Sequence, residues 1–319
     1  MPMSHPIFTD GLFYGIDIGG TKIELVAYQG AVLSERWRRR VDTPTQDFSP
    51  FVEALAGLVE AADADLGQRG VVGLGLPGVV DPVSGLQLSS NVPALNGQAV
   101  APALTARLRR PVVVGNDCQC FALSEAHGGA AAGAESMFGA ILGTGAGGGY
   151  CVGGRLLRGY NSLAGEWGHG GLPATLRERH GLPLWPCGCG LTACLERYVS
   201  GSGLAALYQE FGGAALDAAA ISERADSGEA LAQRSLAVHL DVLAYGLAGL
   251  VLVLDPHVIV LGGGLSKLQR LYRDLPAAVA RHLFAGARVP PILPPAFGDA
   301  GGTRGAALLA RQQPFISNS

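Results

Sequence analysis

No uninterrupted apolar stretch in this sequence is long enough to cross a bilayer. The longest, residues 247–254, is broken by Gly249 and falls well short of the ~20 residues that a span needs. The first dozen residues offer neither a basic start nor an apolar signal core, and Met1 to Asp10 are expected to form a loose extension. Charge of one sign is scarce too: 23 basic against 26 acidic residues leave a net charge of -3, with no basic stripe to neutralise a phosphate backbone. The single basic cluster, Arg36 with Arg38, Arg39 and Arg40 beside Trp37, reads as a solvated strand end. These absences argue against membrane and nucleic-acid partners and place the chain in the cytoplasm. Cysteine is too sparse for a disulfide scaffold, with six in 319 residues, and a reducing compartment fits. A Walker A loop is missing as well, because Gly-Lys-Ser/Thr never occurs.

Glycine is what the sequence has in excess: 48 of 319 residues, roughly double the usual share of about 7%. Residues 14–18 and 23–28 read as a hairpin with a glycine tip, and residues 137–142 and 150–152 repeat the device around residues 143–149. This echo predicts two related α/β lobes: residues 13–126 with 301–319 as the smaller, and residues 127–300 as the larger, with residues 1–12 an extension. Ser49 and Pro50 predict the start of a helix that ends near Gly67. Further expected elements are strands at 71–76, 112–114 and 258–261 and helices at 118–127, 229–254, 267–283 and 301–310, before a loose tail from Gln312.

The tip Asp17-Ile18-Gly19-Gly20-Thr21-Lys22 suits an anion, since glycines let backbone N–H groups face it while Thr21 and Lys22 add a hydroxyl and a charge. Asp17 could hold Mg²⁺ through water; an ordinary hairpin tip is the alternative. Two G-x-G-x-x-G matches, residues 73–78 and 143–148, lack the strand-then-helix context of a dinucleotide site. The run from Leu142 to Gly149 reads instead as a second phosphate cradle, or as a tight sheet bend. Asp117 follows a strand and Asn116; it either accepts a proton from a ligand hydroxyl or serves as an N-cap. His169 with Cys187, Cys189 and Cys194 makes a closed zinc set of the structural kind, against the alternatives of buried free thiols or of His180 as fourth ligand. Cys118, Cys120 and Cys151 read as small core residues.

Taken together, Asp17 to Lys22, Gly75-Leu76-Pro77-Gly78, Asn116-Asp117, Leu142 to Gly149, Glu166 to His169, Cys187 to Glu196 and Gly262 to Gly264 resemble the ROK family of repressors, open reading frames and sugar kinases, from Tyr14 to Ala310. The resemblance implies an actin-like, hexokinase-like (ribonuclease H-like) ATPase fold of two α/β lobes closing over a cleft. It implies ATP-dependent sugar phosphorylation with Asp117 as general base on the 6-hydroxyl, and segments 91–94, 181–182, 187–190, 198–201, 287–290 and 298–302 are similar to the family's members that act on N-acetyl-D-glucosamine. Gly78, Asn91, Asn116, Glu166, His169 and Glu196 would line the sugar pocket. Asp17, Gly19, Gly20, Thr21, Lys22, Gly143, Thr144 and Gly145 would hold the ATP phosphates and Mg²⁺, and Gly262, Gly263 and Gly264 would back the adenosine. Zn²⁺ on His169, Cys187, Cys189 and Cys194 would brace the sugar loop.

Segments 95–98 and 129–134 also look like bacterial fructokinases of the family, which keeps fructose or glucose as alternative substrates. A sugar-sensing regulator or a silent sugar-binding protein is the non-kinase alternative. Regulators of the family carry an N-terminal winged helix-turn-helix, for which the position of Asp17 leaves no room. A homodimer is what the family suggests. Two departures from the family pattern stand out: Cys118-Gln119 follow Asp117 where Ala-Asn is usual, and Ala193 precedes the last zinc cysteine where Gly is usual. The second would strain the loop if that position needs a positive φ.

Overall fold

The computed structural model describes residues 11–81, 83–88, 92–298 and 301–312. The expected N-terminal extension, Asn91 and the tail beyond Gln312 lie outside the described residues. In chain order the elements are β1 (Leu12–Ile18), β2 (Lys22–Gln29), β3 (Ser34–Asp42), α1 (Phe48–Leu66), β4 (Val71–Leu76), β5 (Val79–Val80), β6 (Gln87–Leu88), α2 (Val100–Leu108), β7 (Val112–Asn116) and α3 (Asp117–Ala126). There follow β8 (Ser136–Leu142), β9 (Ala146–Val152), β10 (Arg155–Leu157), α4 (Ala174–His180), α5 (Glu196–Val199), α6 (Gly201–Glu210), α7 (Ala218–Asp226), α8 (Ala230–Leu254), β11 (Val258–Gly262), α9 (Gln269–Ala280), β12 (Ile292–Leu293) and α10 (Gly301–Gln312).

The chain divides into two compact units: residues 1–124, 158–163 and 299–319 in one, residues 125–157 and 164–298 in the other. Each is built on a five-stranded sheet of the same design, β3-β2-β1-β4-β7 in the first and β10-β9-β8-β11-β12 in the second. In both, the first three strands named run antiparallel and the last three parallel. The echo expected from the two glycine hairpins is thus a repeated sheet topology.

The inner strands β1, β4 and β8 are buried almost end to end, as strands covered on both faces must be. In the first unit α10 lies against β1 and β4 at backbone distance. A Cβ at Gly15 would sit 1.7 Å from the Thr303 carbonyl oxygen, and one at Gly73, its partner in the ladder, 1.9 Å from that of Ala306. Any side chain at either position would push the helix off the sheet. In the second unit α8 is the central helix; fourteen of its residues are buried. It is long and apolar enough, by length and composition, to cross a membrane, which the broken apolar run in the sequence did not suggest. Yet 67% of its most apolar 18-residue window is buried inside this unit, as befits a core helix.

Helix α1 begins at Phe48 with Asp47 at the N-cap, each two residues before the predicted Pro50 and Ser49. Pro50 falls inside the first turn, where backbone N–H groups lack intrahelical acceptors, so its missing donor is tolerated there too. The helix ends as expected at Gly67, whose φ of 61° is left-handed.

Glu125, fully buried at 0% exposure, ties together the two ends of the second unit's chain. One carboxylate oxygen accepts the N–H of Ala130 (2.8 Å) and of Ala296 (3.0 Å), and the other that of Phe297 (3.1 Å). Replacing Glu125 by Ala strips three N–H groups of their acceptor and is expected to lower stability by about 2 to 4 kcal/mol in urea unfolding. Glu125→Gln, which retains one acceptor oxygen, should lose less.

Candidate active site

Asp17 is the penultimate residue of β1 and pairs in register with Glu24 on β2 and Gly75 on β4. Its carboxyl group overlies Gly302 in the first turn of α10, where a Cβ would come within 2.6 Å of it. Burial, then the nearby carboxylates of Asp117 and Glu24, push the Asp17 carboxyl up to about 7. Glu24 is held by Arg38 (3.0 Å) and Arg40 (2.9 Å) from β3, so two arginines of the basic cluster face a buried acid and are not merely solvated. Sequence reasoning missed Glu24 and Gly302. Glu24 was legible in principle, because the hairpin register puts it opposite Asp17.

The tip between β1 and β2 is braced by its own backbone: Gly19 donates to the Lys22 carbonyl (2.9 Å), and the Thr43 hydroxyl to that of Gly19 (2.8 Å). The Lys22 ammonium pairs with Asp42 on the surface, a contact that solvent screens and that holds it weakly.

Asp117 opens α3 at the end of β7, and burial raises its carboxyl. The N-cap of this helix is Asn116 rather than Asp117. The Asn116 side-chain oxygen accepts the N–H of Cys118 (2.8 Å) and of Gln119 (3.3 Å), while its amide donates to the Gly78 carbonyl (2.8 Å). Asn116 thereby pins Gly78, which has a φ of 81°, and keeps one amide hydrogen for a ligand. Gln119, one of the departures from the family pattern, donates to the Ser162 carbonyl at 3.3 Å.

In the second unit, Gly143, Thr144 and Gly145 form the tip between β8 and β9. The Gly143 carbonyl accepts the N–H of Gly201 (2.7 Å), and the Thr144 carbonyl accepts the Ser202 hydroxyl (2.6 Å). Around Gly143 a Cβ would meet nothing nearer than Ile141 at 4.0 Å, so packing does not explain that glycine. Gly263, with a φ of 74°, abuts the Leu142–Gly143 backbone and brings residues 262–264 against the same tip.

The expectation that the whole run to Gly149 cradles phosphate is corrected by the ladder: Gly147 to Gly149 lie within β9, paired to β8. They seat the turn from Glu166 to His169. A Cβ at Gly165 would stand 2.2 Å from the Gly148 carbonyl oxygen, and Trp167 donates its indole N–H to the Gly147 carbonyl (2.8 Å).

That turn presents His169 to the cysteine loop. The ligand atoms of His169, Cys187, Cys189 and Cys194 all lie within 4.8 Å of one another. The Cys189 and Cys194 sulfurs are 3.6 Å apart, and His169 Nδ1 is 3.8 Å from the Cys187 sulfur. Tetrahedral zinc with Zn–S bonds of about 2.3 Å sets adjacent sulfurs about 3.8 Å apart, so the set fits that ion. Burial and the neighbouring thiols push Cys194 up to about 12 and raise Cys187, whereas a backbone hydrogen bond at Leu191 lowers Cys189, so a cation would be needed to hold all three as thiolates. His169 Nε2 faces Glu166 at 3.6 Å. His180 is elsewhere: its Nε2 bonds Asp241 at 2.8 Å. Glu196 accepts the Ala146 N–H (2.9 Å) with one oxygen and approaches the Cys187 sulfur (3.7 Å) with the other.

Ala193 has a φ of 58°, the strain foreseen for a residue standing where the family has glycine. Its N–H donates to the Trp185 carbonyl and its carbonyl accepts the Leu172 N–H, both at 2.8 Å, so the loop imposes the angle. Ala193→Gly should therefore raise stability by about 0.5 to 1 kcal/mol, the relieved left-handed strain outweighing glycine's added unfolded-state freedom; thermal unfolding checks it. For Asp17 the folded-state value of about 7 lies above the ordinary 3.8, so its contribution is fully present below pH 4 and lost as pH rises to 7. In metal-free protein, Asp17→Asn should gain on the wild type by about 1 kcal/mol per pH unit across that window and level off above it, as measured by urea unfolding at stepped pH.

Comparison with known proteins gives this geometry its kin. An N-acetylgalactosamine kinase AgaK of Shewanella sp. (strain ANA-3) is 48% identical over 93% of this chain and 96% of its own length. An N-acetyl-D-glucosamine kinase of Photobacterium profundum is 43% identical over 93% and 99%. The crystal structure of a ROK hexokinase from Thermus thermophilus matches with a TM-score of 0.82 at 34% identity, covering 93% of this chain and 97% of that one. The repeated sheets are accordingly those of the hexokinase-like, actin-related ATPase fold. With the ROK family pattern matched from residue 13 to residue 313, the chain belongs to the ROK family.

Proposed function

We propose that this protein is an ATP-dependent kinase that phosphorylates the 6-hydroxyl of N-acetyl-D-glucosamine, releasing N-acetylglucosamine 6-phosphate and ADP. The observation that carries the reading is the half-buried Asp117 carboxylate at the β7–α3 junction, with its proton affinity raised by desolvation. A carboxylate so placed is a stronger base than one in water and takes the proton of a sugar hydroxyl as that oxygen attacks the γ-phosphorus. The bond from the γ-phosphorus to the β-phosphate oxygen breaks, and ADP leaves.

Asn116, Gly78, Asn91, Glu166, His169 and Glu196 hold the remaining sugar groups. Residues 17–22 and 143–145 hold the phosphates, and Gly262 to Gly264 hold the adenosine. Mg²⁺ would neutralise phosphate charge, with Asp17 the residue to hold it; the rise of Asp17 toward neutral pH lowers the cost of keeping that site without a cation. His169, Cys187, Cys189 and Cys194 would hold Zn²⁺, which would fix the tautomer and orientation of His169 and leave its Nε2, 3.6 Å from Glu166, for a sugar hydroxyl. The thiol set fits a reducing, cytoplasmic location.

A second reading, N-acetyl-D-galactosamine as the acceptor, is favoured by the 48% identity to an N-acetylgalactosamine kinase. The two sugars differ only in the configuration at C4. Phosphorylation of N-acetylglucosamine, N-acetylgalactosamine, N-acetylmannosamine, glucose and fructose, each run with wild type and Asp117→Asn, separates the readings. N-acetylglucosamine should give the highest kcat/KM, and Asp117→Asn should lower kcat by about 10²- to 10⁴-fold while leaving the fold intact. A preference for N-acetylgalactosamine would keep the mechanism and change the acceptor; wild-type protein that binds ATP but transfers to no sugar would defeat the kinase reading.

A further inference from the structure

Apart from the residues assigned above, the second unit has an open surface cavity of about 460 Å³ lined by the exposed Arg179, Arg234 and Arg281 with His180 and Asp241, and with Ala237 and the buried Val238 as its apolar wall. The donors come from three helices: Arg179 and His180 from the last turn of α4, Arg234 from the start of α8, and Arg281 from the C-cap of α9. Asp241 is spent internally. It accepts from His180 (2.8 Å), His282 (2.9 Å) and Arg179 (3.0 Å). Burial alone would raise its carboxyl, but those hydrogen bonds hold it down at about 2.

Three arginines against this one carboxylate leave two positive charges, with neither histidine counted. Cations at the C-terminal ends of α4 and α9 could serve only the helix dipoles. Arg234 has no such use, because it stands near the positive end of α8. Its guanidinium is held 4.2 Å over the Phe211 ring, and neither it nor Arg281 has a carboxylate in ion-pair contact among the described residues. A guanidinium fixed by an aromatic face, with its N–H fork unspent, is preorganised for an oxyanion.

We propose that this cavity binds a small phosphomonoester, specifically a sugar phosphate. The two surplus charges match the charge of about −1.5 to −2 that a phosphomonoester carries at neutral pH. The volume falls in the range of about 300 to 1,000 Å³ found for small-molecule sites, well beyond what phosphate alone fills, and the Ala237 and Val238 wall suits an uncharged sugar body.

Calorimetric titration of the full chain with N-acetylglucosamine 6-phosphate and with inorganic phosphate, on wild type and on an Arg234→Gln/Arg281→Gln double variant, tests this. Since the difference between the two proteins is read, binding at the kinase site cancels. One equivalent of sugar phosphate should weaken at least tenfold in the double variant and recover in part with Lys at both positions, while sugar-kinase turnover without added phosphate stays at the wild-type level. Identical isotherms for wild type and variant would overturn the proposal. So would inorganic phosphate binding as tightly as the sugar phosphate, or a change in the variant confined to oligomeric state, which would make the cavity a contact between copies of this chain.

Discussion

Backbone touching backbone is the contact on which both units depend, and it exists only where there is no Cβ. In the first unit the contact is α10 on β1 and β4, where the Thr303 and Ala306 carbonyls come so near Gly15 and Gly73 that alanine has no room. This approach sets the first turn of α10 over the end of β1 and packs Gly302 against the carboxyl of Asp17. In the second unit the contact is the turn from Glu166 to His169 on β9, where a Cβ at Gly168 would stand 2.0 Å from the Ala146 carbonyl oxygen. The imidazole reaches the cysteine loop because the turn can lie that close. A glycine content double the ordinary share is therefore in part an instruction about distance between elements, while glycines such as Gly67 and Gly181 serve left-handed turns instead.

Close packing in the first unit also creates an electrostatic problem. Asp17 and Glu24 on the adjacent strands β1 and β2 and Asp117 at the end of β7 gather near one another, and each disfavours ionisation of Asp17 or is itself desolvated. Arg38 and Arg40 pair with Glu24, and Arg38 also with Glu35, while neither pairs with Asp17 or Asp117. The other two carboxyls keep raised proton affinities, a state that weakens the folded protein as pH rises and that a core optimised only for stability would have replaced with apolar groups. Such a pair makes sense where a cation and a substrate proton are to be received, which is the chemistry proposed for Mg²⁺ and the sugar hydroxyl.

Much of this arrangement could be read before any coordinates. The two hairpins, the β7–α3 junction, the long helix at 230–254 and the four metal-binding candidates follow from local signals: alternation, glycine tips, helical spacing and cysteine spacing. The consequence of Ala193 was legible as well, since a loop that usually has glycine at one position announces a positive φ there. What could not be read depends on partners distant in sequence. Nothing local distinguishes Gly143, open to a ligand, from Gly148, covered by a turn that begins near residue 165. That Asn116 rather than Asp117 is the cap shows only once its side-chain oxygen is seen to accept the Cys118 and Gln119 N–H groups while its amide donates to the Gly78 carbonyl. The cluster around Asp241 joins residues 179, 180 and 282, which no spacing rule connects.

Glu196 shows how the cysteine loop and the glycine tip of the second unit become one object. It starts α5 only two residues after Cys194, so any shift in the loop moves it. One of its oxygens faces the Cys187 sulfur, while the other both accepts the Ala146 N–H and fills the space that a side chain at Gly145 would need. A change in the thiol set is thereby transmitted through a single carboxylate to the tip proposed to hold phosphate, over a path of two contacts. A metal in that loop is structural by its closed coordination, since four protein ligands leave no position for substrate. Held there, a metal would act on the proposed site only through the position of Glu196 and the tautomer of His169, which would make the order of the cysteine loop a condition for the order of that site.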